Sequence, residues 1–297
     1  MGKDIFDAYE AAREVFQTAG AVTGLPIQRL CFEGPEEELN RTDAAQPAIF
    51  TVSAAMLAAM KQVLSAEQMD AIKPAFMAGL SLGEYTALYA SGAISLSDAL
   101  KLVTRRGAAM QSAAVSVPSS MVCIMGLDEA KVAELCQAAA QGQVLTPANF
   151  NSPGQIVISG ETAACARAEA MAKDFGASGA IALKVAGAFH SQIMAPAAKD
   201  LSGALADVKF QEPTTPVVAN VDAQPYACMC QASDKLLSQL TGAVRWQQSI
   251  EWLLAQGVER FYEIGPGKVL AGLMRRISRR TEVISVNSAE AIEKLRA

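Results

Sequence analysis

The sequence holds one histidine, His190, and one Gly-x-Ser-x-Gly pentapeptide, Gly79-Leu80-Ser81-Leu82-Gly83. A serine hydroxyl is a weak nucleophile at neutral pH, so it needs a base to take its proton and donors to hold the oxyanion that forms. If Ser81 performs acyl chemistry, His190 must be its imidazole base. Glycines two positions before and after the serine suit a tight strand-to-helix turn, where side chains would collide with neighbouring backbone. Such a turn places Ser81 at a helix start. The Leu82 N–H then points to where an oxyanion would form, and the helix dipole acts in the same sense. No metal site is expected: of six cysteines only Cys228-Met229-Cys230 lie close together, and with one histidine they fall short of a four-ligand zinc set. Free thiols are the expectation there.

The elements that must carry these residues follow from periodicity. Asp4 to Phe16 has apolar residues at helical spacing, and Ala44 to Leu64 is a longer apolar helix carrying Gln46. Pro74 introduces a strand running to Gly79, Ser81 opens a helix to about Ala90, and Ser97-Asp98 starts a helix carrying Arg105 and Arg106. From Val117-Pro118 the texture changes: strand Met121 to Gly126, helix Asp128 to Ala140, strands Gln143 to Asn149 and Gln155 to Gly160, helix Glu161 to Phe175, strand Ala180 to Val185. That is the split βαβ, ferredoxin-like order, with Asn151-Ser152-Pro153-Gly154 as the turn between its central strands. After Gly187 the pattern reads helix Ser191 to Ala206, strand Pro216 to Val221, helices Ser233 to Leu240 and Gln247 to Gln256, strand Arg260 to Ile264, helix Lys268 to Arg279 and strand Glu282 to Val286. The expected fold class is α/β: an α/β-hydrolase-like large domain with a parallel sheet, residues 1–116 and 188–297, interrupted by a small ferredoxin-like domain, residues 117–187.

Composition bounds the setting. A chain of 297 residues with 51% hydrophobic and 19% charged residues is an ordinary globular sequence, and a net charge of -5 argues against nucleic acid as a partner. No basic and apolar leader opens the sequence, and apolar runs such as Ala48 to Met60 are shorter than the roughly 20 residues of a membrane span. A cytoplasmic protein without membrane contact is expected. Gly265-Pro266-Gly267-Lys268 lacks the length and ending of a Walker loop and reads as a turn into the last long helix.

Gly79-Leu80-Ser81-Leu82-Gly83-Glu84-Tyr85 and Gly187-Ala188-Phe189-His190-Ser191 closely resemble the malonyl-CoA:acyl carrier protein transacylases and the related polyketide synthase acyltransferase domains. The resemblance extends over nearly the whole chain, through Gln46-Pro47-Ala48, Arg106-Gly107 with Met110-Gln111, Asn149 to Gln155, Asn220-Val221-Asp222 and Glu263-Ile264-Gly265-Pro266-Gly267-Lys268-Val269-Leu270. It implies that Ser81 takes malonyl as an ester, that His190 is base and then acid, and that a main-chain carbonyl at Gln239 orients the imidazole. It implies further that Arg106 binds the malonyl carboxylate, for which a planar two-pronged guanidinium is suited. Gln46 and Asn151 would line the cleft, and Phe189 would leave little room for a methyl branch. No cofactor is implied beyond the substrates, malonyl-CoA and the phosphopantetheine thiol of acyl carrier protein. Arg275, Arg276, Arg279 and Arg280 form a basic cluster suited to an acidic carrier protein or CoA phosphates.

Two departures stand out. Leu80 occupies a position where the family most often has histidine, and nothing in Met1 to Asp7 matches the family's opening strand and Gly-Gln-Gly-Ser-Gln loop, source of a second oxyanion donor. The sequence is expected to start just after that loop. Two other readings therefore accompany the transferase: a serine hydrolase or thioesterase, and a truncated, non-catalytic acyltransferase scaffold.

Overall fold

A 22-residue helix, Thr42–Val63, runs through the centre of the protein with residues buried on every side. By length and a mean hydropathy of 1.2 it would pass for a membrane span, but 72% of that stretch is buried inside the fold. The computed structural model describes residues 1–296. Against the central helix lies Leu96–Ser116, whose N-cap is Ser95, its side chain accepting from the Asp98 N–H. The two helices approach closely because residue 107 is glycine: a Cβ there would stand 2.8 Å from the Thr42 carbonyl oxygen. That approach brings Arg106 over Gln46.

The segment Asp4 to Phe16, expected as one helix, is two, Lys3–Ala8 and Glu10–Thr23, broken at Tyr9 with φ −125° and ψ 131°. The cause is tertiary. Tyr9 is buried, and its hydroxyl donates to the Glu293 carboxylate at 2.9 Å on a C-terminal helix, Ala289–Arg296, that periodicity did not single out.

Among the described residues six strands are formed: β1 Ser119–Met125, β2 Leu145–Ser152, β3 Gln155–Glu161, β4 Gly179–Ala182, β5 Arg260–Ile264 and β6 Glu282–Val286. The first four make one antiparallel sheet in the order β2-β3-β1-β4. Helices Glu129–Ala140 and Thr162–Met171 pack on one face around Val122, Ile124, Leu135, Phe150, Ile158 and Cys165. The other face, with Met121, Cys123, Ala148 and Val157, packs against Phe189, next to the histidine.

The remaining strands do not form the continuous parallel sheet expected of them. β5 and β6 pair in parallel over five residues each, but the segments at 75–79 and 216–221 meet through a single parallel bridge, Met77 with Val217. The ladder stops because the next backbone groups are taken by side chains: Asn220 Nδ2 donates to the Gly79 carbonyl oxygen, Ser81 N–H to Asn220 Oδ1, and Asn220 N–H to the Glu84 carboxylate. The sheet edge is given over to holding the serine turn. A second correction concerns Cys228 and Cys230, expected as free thiols; they are joined in a disulfide, their Cα atoms 5.3 Å apart and within bridging range.

Candidate active site

Ser81 precedes the helix Leu82–Ala90 and has φ 51° and ψ −102°, a conformation L-residues adopt only when their surroundings impose it. Here the imposing contacts are the two Asn220 hydrogen bonds that clamp the turn, 2.8 Å to the Gly79 carbonyl oxygen and 2.7 Å from the Ser81 N–H. The glycines of the motif are not equivalent, contrary to expectation. A Cβ at Gly79 would stand 2.0 Å from the Gly83 carbonyl, whereas one at Gly83 meets nothing within 4 Å. Gly79→Ala is expected to lower unfolding free energy by about 1–3 kcal/mol, and Gly83→Ala, at a helical position, to change it by less than about 1 kcal/mol. Matching urea midpoints for the two variants would rule out this steric account.

His190 also has a positive φ, 58°. Its segment is tied down by Ser159 Oγ donating to the Phe189 carbonyl oxygen at 2.6 Å and Ser119 Oγ accepting from the Ala188 N–H at 3.1 Å, so β1 and β3 of the antiparallel sheet position it. The imidazole is buried, Nδ1 lies 2.6 Å from the Gln239 main-chain oxygen, and Nε2 lies 2.8 Å from Ser81 Oγ. A carbonyl oxygen only accepts, so Nδ1 carries the proton and Nε2 presents its lone pair to the serine hydroxyl. The third position of this relay is a neutral carbonyl rather than a carboxylate.

Arg106 is fully enclosed at 1% exposure. Its Nη1 donates to Gln46 Oε1 at 2.6 Å, and its Nη2 donates to Ser81 Oγ and to Gln239 Oε1, both at 2.9 Å. The guanidinium also stands 5.4 Å from the Tyr85 ring centroid, and its Nε–H has no partner among the described residues. The serine oxygen thus sits between an imidazole acceptor and a cation, an arrangement that favours removal of its proton. The Leu82 N–H, first of its helix, has no acceptor among the described residues and is free to bind an oxyanion. Leu80, next to the serine, packs in an apolar cluster with Val218, Trp246 and Ile250.

Burial, and after it the Arg106 charge, lowers the His190 pKa to about 4, against the opposing pull of the Gln239 carbonyl. The folded value lies below the ordinary 6.5, so as pH falls the unfolded chain takes up this proton first. The stability from burying a neutral imidazole is complete above 6.5 and is lost as pH falls from there towards about 4. NMR titration of this single histidine is expected to give a midpoint near pH 4, and the acid limb of kcat/KM, which reports the free enzyme, should lie well below 6.5. A midpoint at or above 6.5 would mean a solvated imidazole.

Ser81, His190, Arg106, Gln46 and Gln239 are thus joined in one hydrogen-bonded network, in which Gln46 is tied to the rest through Arg106. Phe189 lies beside them as the neighbour of His190 in the chain. Asn151 sits at an irregularity between β2 and β3 and makes no side-chain hydrogen bond to this group. Arg105, by contrast, points away and pairs with Asp200 at the surface.

Sequence reasoning missed the layer beneath. Glu84, at 1% exposure, accepts from Gln239 Nε2 at 2.6 Å, from the Asn220 N–H at 3.1 Å and from the Tyr226 hydroxyl. Burial pushes its carboxyl up to about 7, while these donors and the Arg106 charge pull it back. Glu84 directly follows the serine pentapeptide and Asn220 closes the apolar run Val217-Val218-Ala219; a polar residue at the edge of such a segment is only a weak sign of a buried role.

Comparison with known proteins places this constellation. The acyl transferase domain family matches residues 1–295. The malonyl CoA-acyl carrier protein transacylase of Escherichia coli K12 is 43% identical over 98% of the chain and 93% of that protein, and the one from Bacillus subtilis is 40% identical over 99% and 90%. An acyl carrier protein S-malonyltransferase from Vibrio cholerae superposes with a TM-score of 0.93 at 39% identity, covering 99% of this chain and 94% of the other. A malonyl-transacylase solved in complex with its type II polyketide synthase acyl carrier protein superposes at 0.92 with 38% identity, covering 100% and 94%. On these grounds the chain belongs to the acyl transferase family, among its malonyl CoA-acyl carrier protein transacylases.

Proposed function

We propose that this protein transfers a malonyl group from malonyl-CoA to the phosphopantetheine thiol of an acyl carrier protein through an ester on Ser81. The observation that carries the reading is Ser81 Oγ held 2.8 Å from His190 Nε2 and 2.9 Å from Arg106 Nη2. In the first half-reaction the Ser81 proton passes to His190 Nε2 as Oγ attacks the thioester carbonyl. The oxyanion gathers on the Leu82 N–H, and the CoA sulfur leaves with the proton from the imidazolium. In the second, the carrier thiol gives its proton to His190 and attacks the ester, and Ser81 Oγ leaves and regains a proton. The imidazole is kept neutral and in one tautomer by burial and by Gln239, so it is ready to accept at each half-turn.

Arg106 pairs with the malonyl carboxylate, which takes over as acceptor from Gln46, Gln239 or Ser81. Phe189 limits the acyl pocket, and Gln46 and Asn151 line it. The four arginines 275, 276, 279 and 280 are exposed, and none forms an ion pair among the described residues, which suits them to an acidic carrier or CoA phosphates. No cofactor enters this chemistry, and the setting is cytoplasmic. The site belongs to a discontinuous larger unit, residues 1–116 and 188–297, with 117–187 as an inserted ferredoxin-like unit; the separate buried cluster of the antiparallel sheet supports that division.

The test is to mix the protein with malonyl-CoA, quench it and locate the adduct by intact and peptide mass. A malonyl group on Ser81, absent from Ser81→Ala and discharged onto carrier protein, is the expected result. Discharge to free malonate at the turnover rate would identify a hydrolase instead, and a folded protein with no adduct would identify a scaffold.

A further inference from the structure

We propose that Glu84 is a positioning residue: gripping the Gln239 side chain, it holds in place both the main-chain carbonyl that aims His190 and the amide oxygen that aims Arg106. The inference rests on the acyl-transfer reading of the Ser81 site. Gln239 is wholly buried and, like the nucleophile Ser81, touches base and guanidinium together, through its main-chain oxygen at 2.6 Å from His190 Nδ1 and its Oε1 at 2.9 Å from Arg106 Nη2. Its Nε2 faces acceptors only: Glu84 Oε2 at 2.6 Å, the Ser81 carbonyl oxygen at 3.1 Å and Asn220 Oδ1 at 3.3 Å.

Of these acceptors Glu84 is the nearest and the one able to carry charge. A carboxylate has no N–H to offer, so it draws the amide nitrogen towards itself and turns the amide oxygen towards Arg106. The Tyr226 hydroxyl and the Asn220 N–H, both donors, keep Glu84 in that accepting role. The second arm of the same network reaches the nucleophile, since Asn220 also clamps Gly79 and Ser81. A single carboxylate thus ties together the orientation of nucleophile, base and cation without touching substrate.

The test uses the free protein first. At pH 8, ring 15N NMR of the only histidine is expected to show the Nδ1-protonated tautomer alone in the wild type. In Glu84→Gln, which lacks the charge and can offer an N–H to Gln239, the ring signals should move towards a mixture of tautomers. In the transfer assay the same variant should lose about 10–100-fold in kcat/KM with malonyl-CoA, a loss typical of removing a charge-assisted hydrogen bond. Part of that loss should appear as a raised KM that acetyl-CoA, with no carboxylate for Arg106, does not show. If Glu84→Gln does not fold, Glu84→Asp, which keeps the charge but shortens the reach, carries the same measurements. A folded variant with a lowered Tm but a wild-type tautomer would overturn the proposal whatever its kinetics, as would wild-type kinetics. Because the NMR needs no substrate, failure of the wild type to form an acyl-enzyme sinks the transfer reading while leaving the Glu84 result readable.

Discussion

His190→Ala is expected to lower malonyl transfer by at least about 10⁴-fold, with the loss in formation of the Ser81 ester itself. No other imidazole exists in the chain to substitute for it. Without Nε2 at 2.8 Å the serine proton has no acceptor, since the other group at Oγ, Arg106 Nη2, is itself a donor. The residual rate would come from the Leu82 N–H and the guanidinium, which stabilise charge but accept no proton. Single-turnover mixing with malonyl-CoA, followed by mass analysis of the quenched protein, measures this step apart from carrier docking. A loss of less than about tenfold in a variant whose unfolding midpoint matches the wild type would mean that Ser81 is deprotonated by another group.

Arg106→Ala carries the second large effect, and its signature is selectivity. We expect kcat/KM for malonyl-CoA to fall by about 10²–10³-fold, the loss expected when one partner of a buried, hydrogen-bonded charge pair is truncated. Acetyl-CoA should lose far less, so the malonyl-to-acetyl ratio is the quantity to measure. If both substrates fell equally, the guanidinium would be acting on the serine alone. The variant has a second consequence. The Arg106 charge is one of the two causes holding the His190 pKa down, so its removal should shift the histidine midpoint upward from about 4. Arg106→Lys is not expected to rescue, because one ammonium cannot span Gln46, Ser81 and Gln239 as the planar guanidinium does.

The parts of this protein legible in sequence are those set by short-range physics. The glycine pattern around Ser81 encodes a turn that only glycine at position 79 permits without a backbone clash, and β5 and β6 fall at the boundaries that their patterning and flanking residues predict. The split order of strands and helices between 117 and 187 is likewise local, since the two helices each bury one face of their own periodic pattern and the central strands β1 and β3 are short apolar runs buried on both faces. His190 could be picked out because it has no competitor, whereas the roles of Gln239 and Arg106 came from resemblance and not from any property of those residues in isolation.

Tertiary structure alone decided the rest. Gln239 meets Glu84 across 155 residues, Tyr226 meets Glu84 across 142, and Asn220 reaches Ser81 across 139, and no local pattern announces pairings at such separations. The same cause breaks the first helix, where Tyr9 gives up helical backbone for a contact with Glu293, 284 residues on. It also shortens the parallel ladder beside the serine, because backbone groups that would have paired between strands are held by Asn220 and Glu84 side chains. Propensity and periodicity describe what a segment favours on its own. Buried polar groups must find partners wherever the fold supplies them, and at this site that requirement prevailed over local preference.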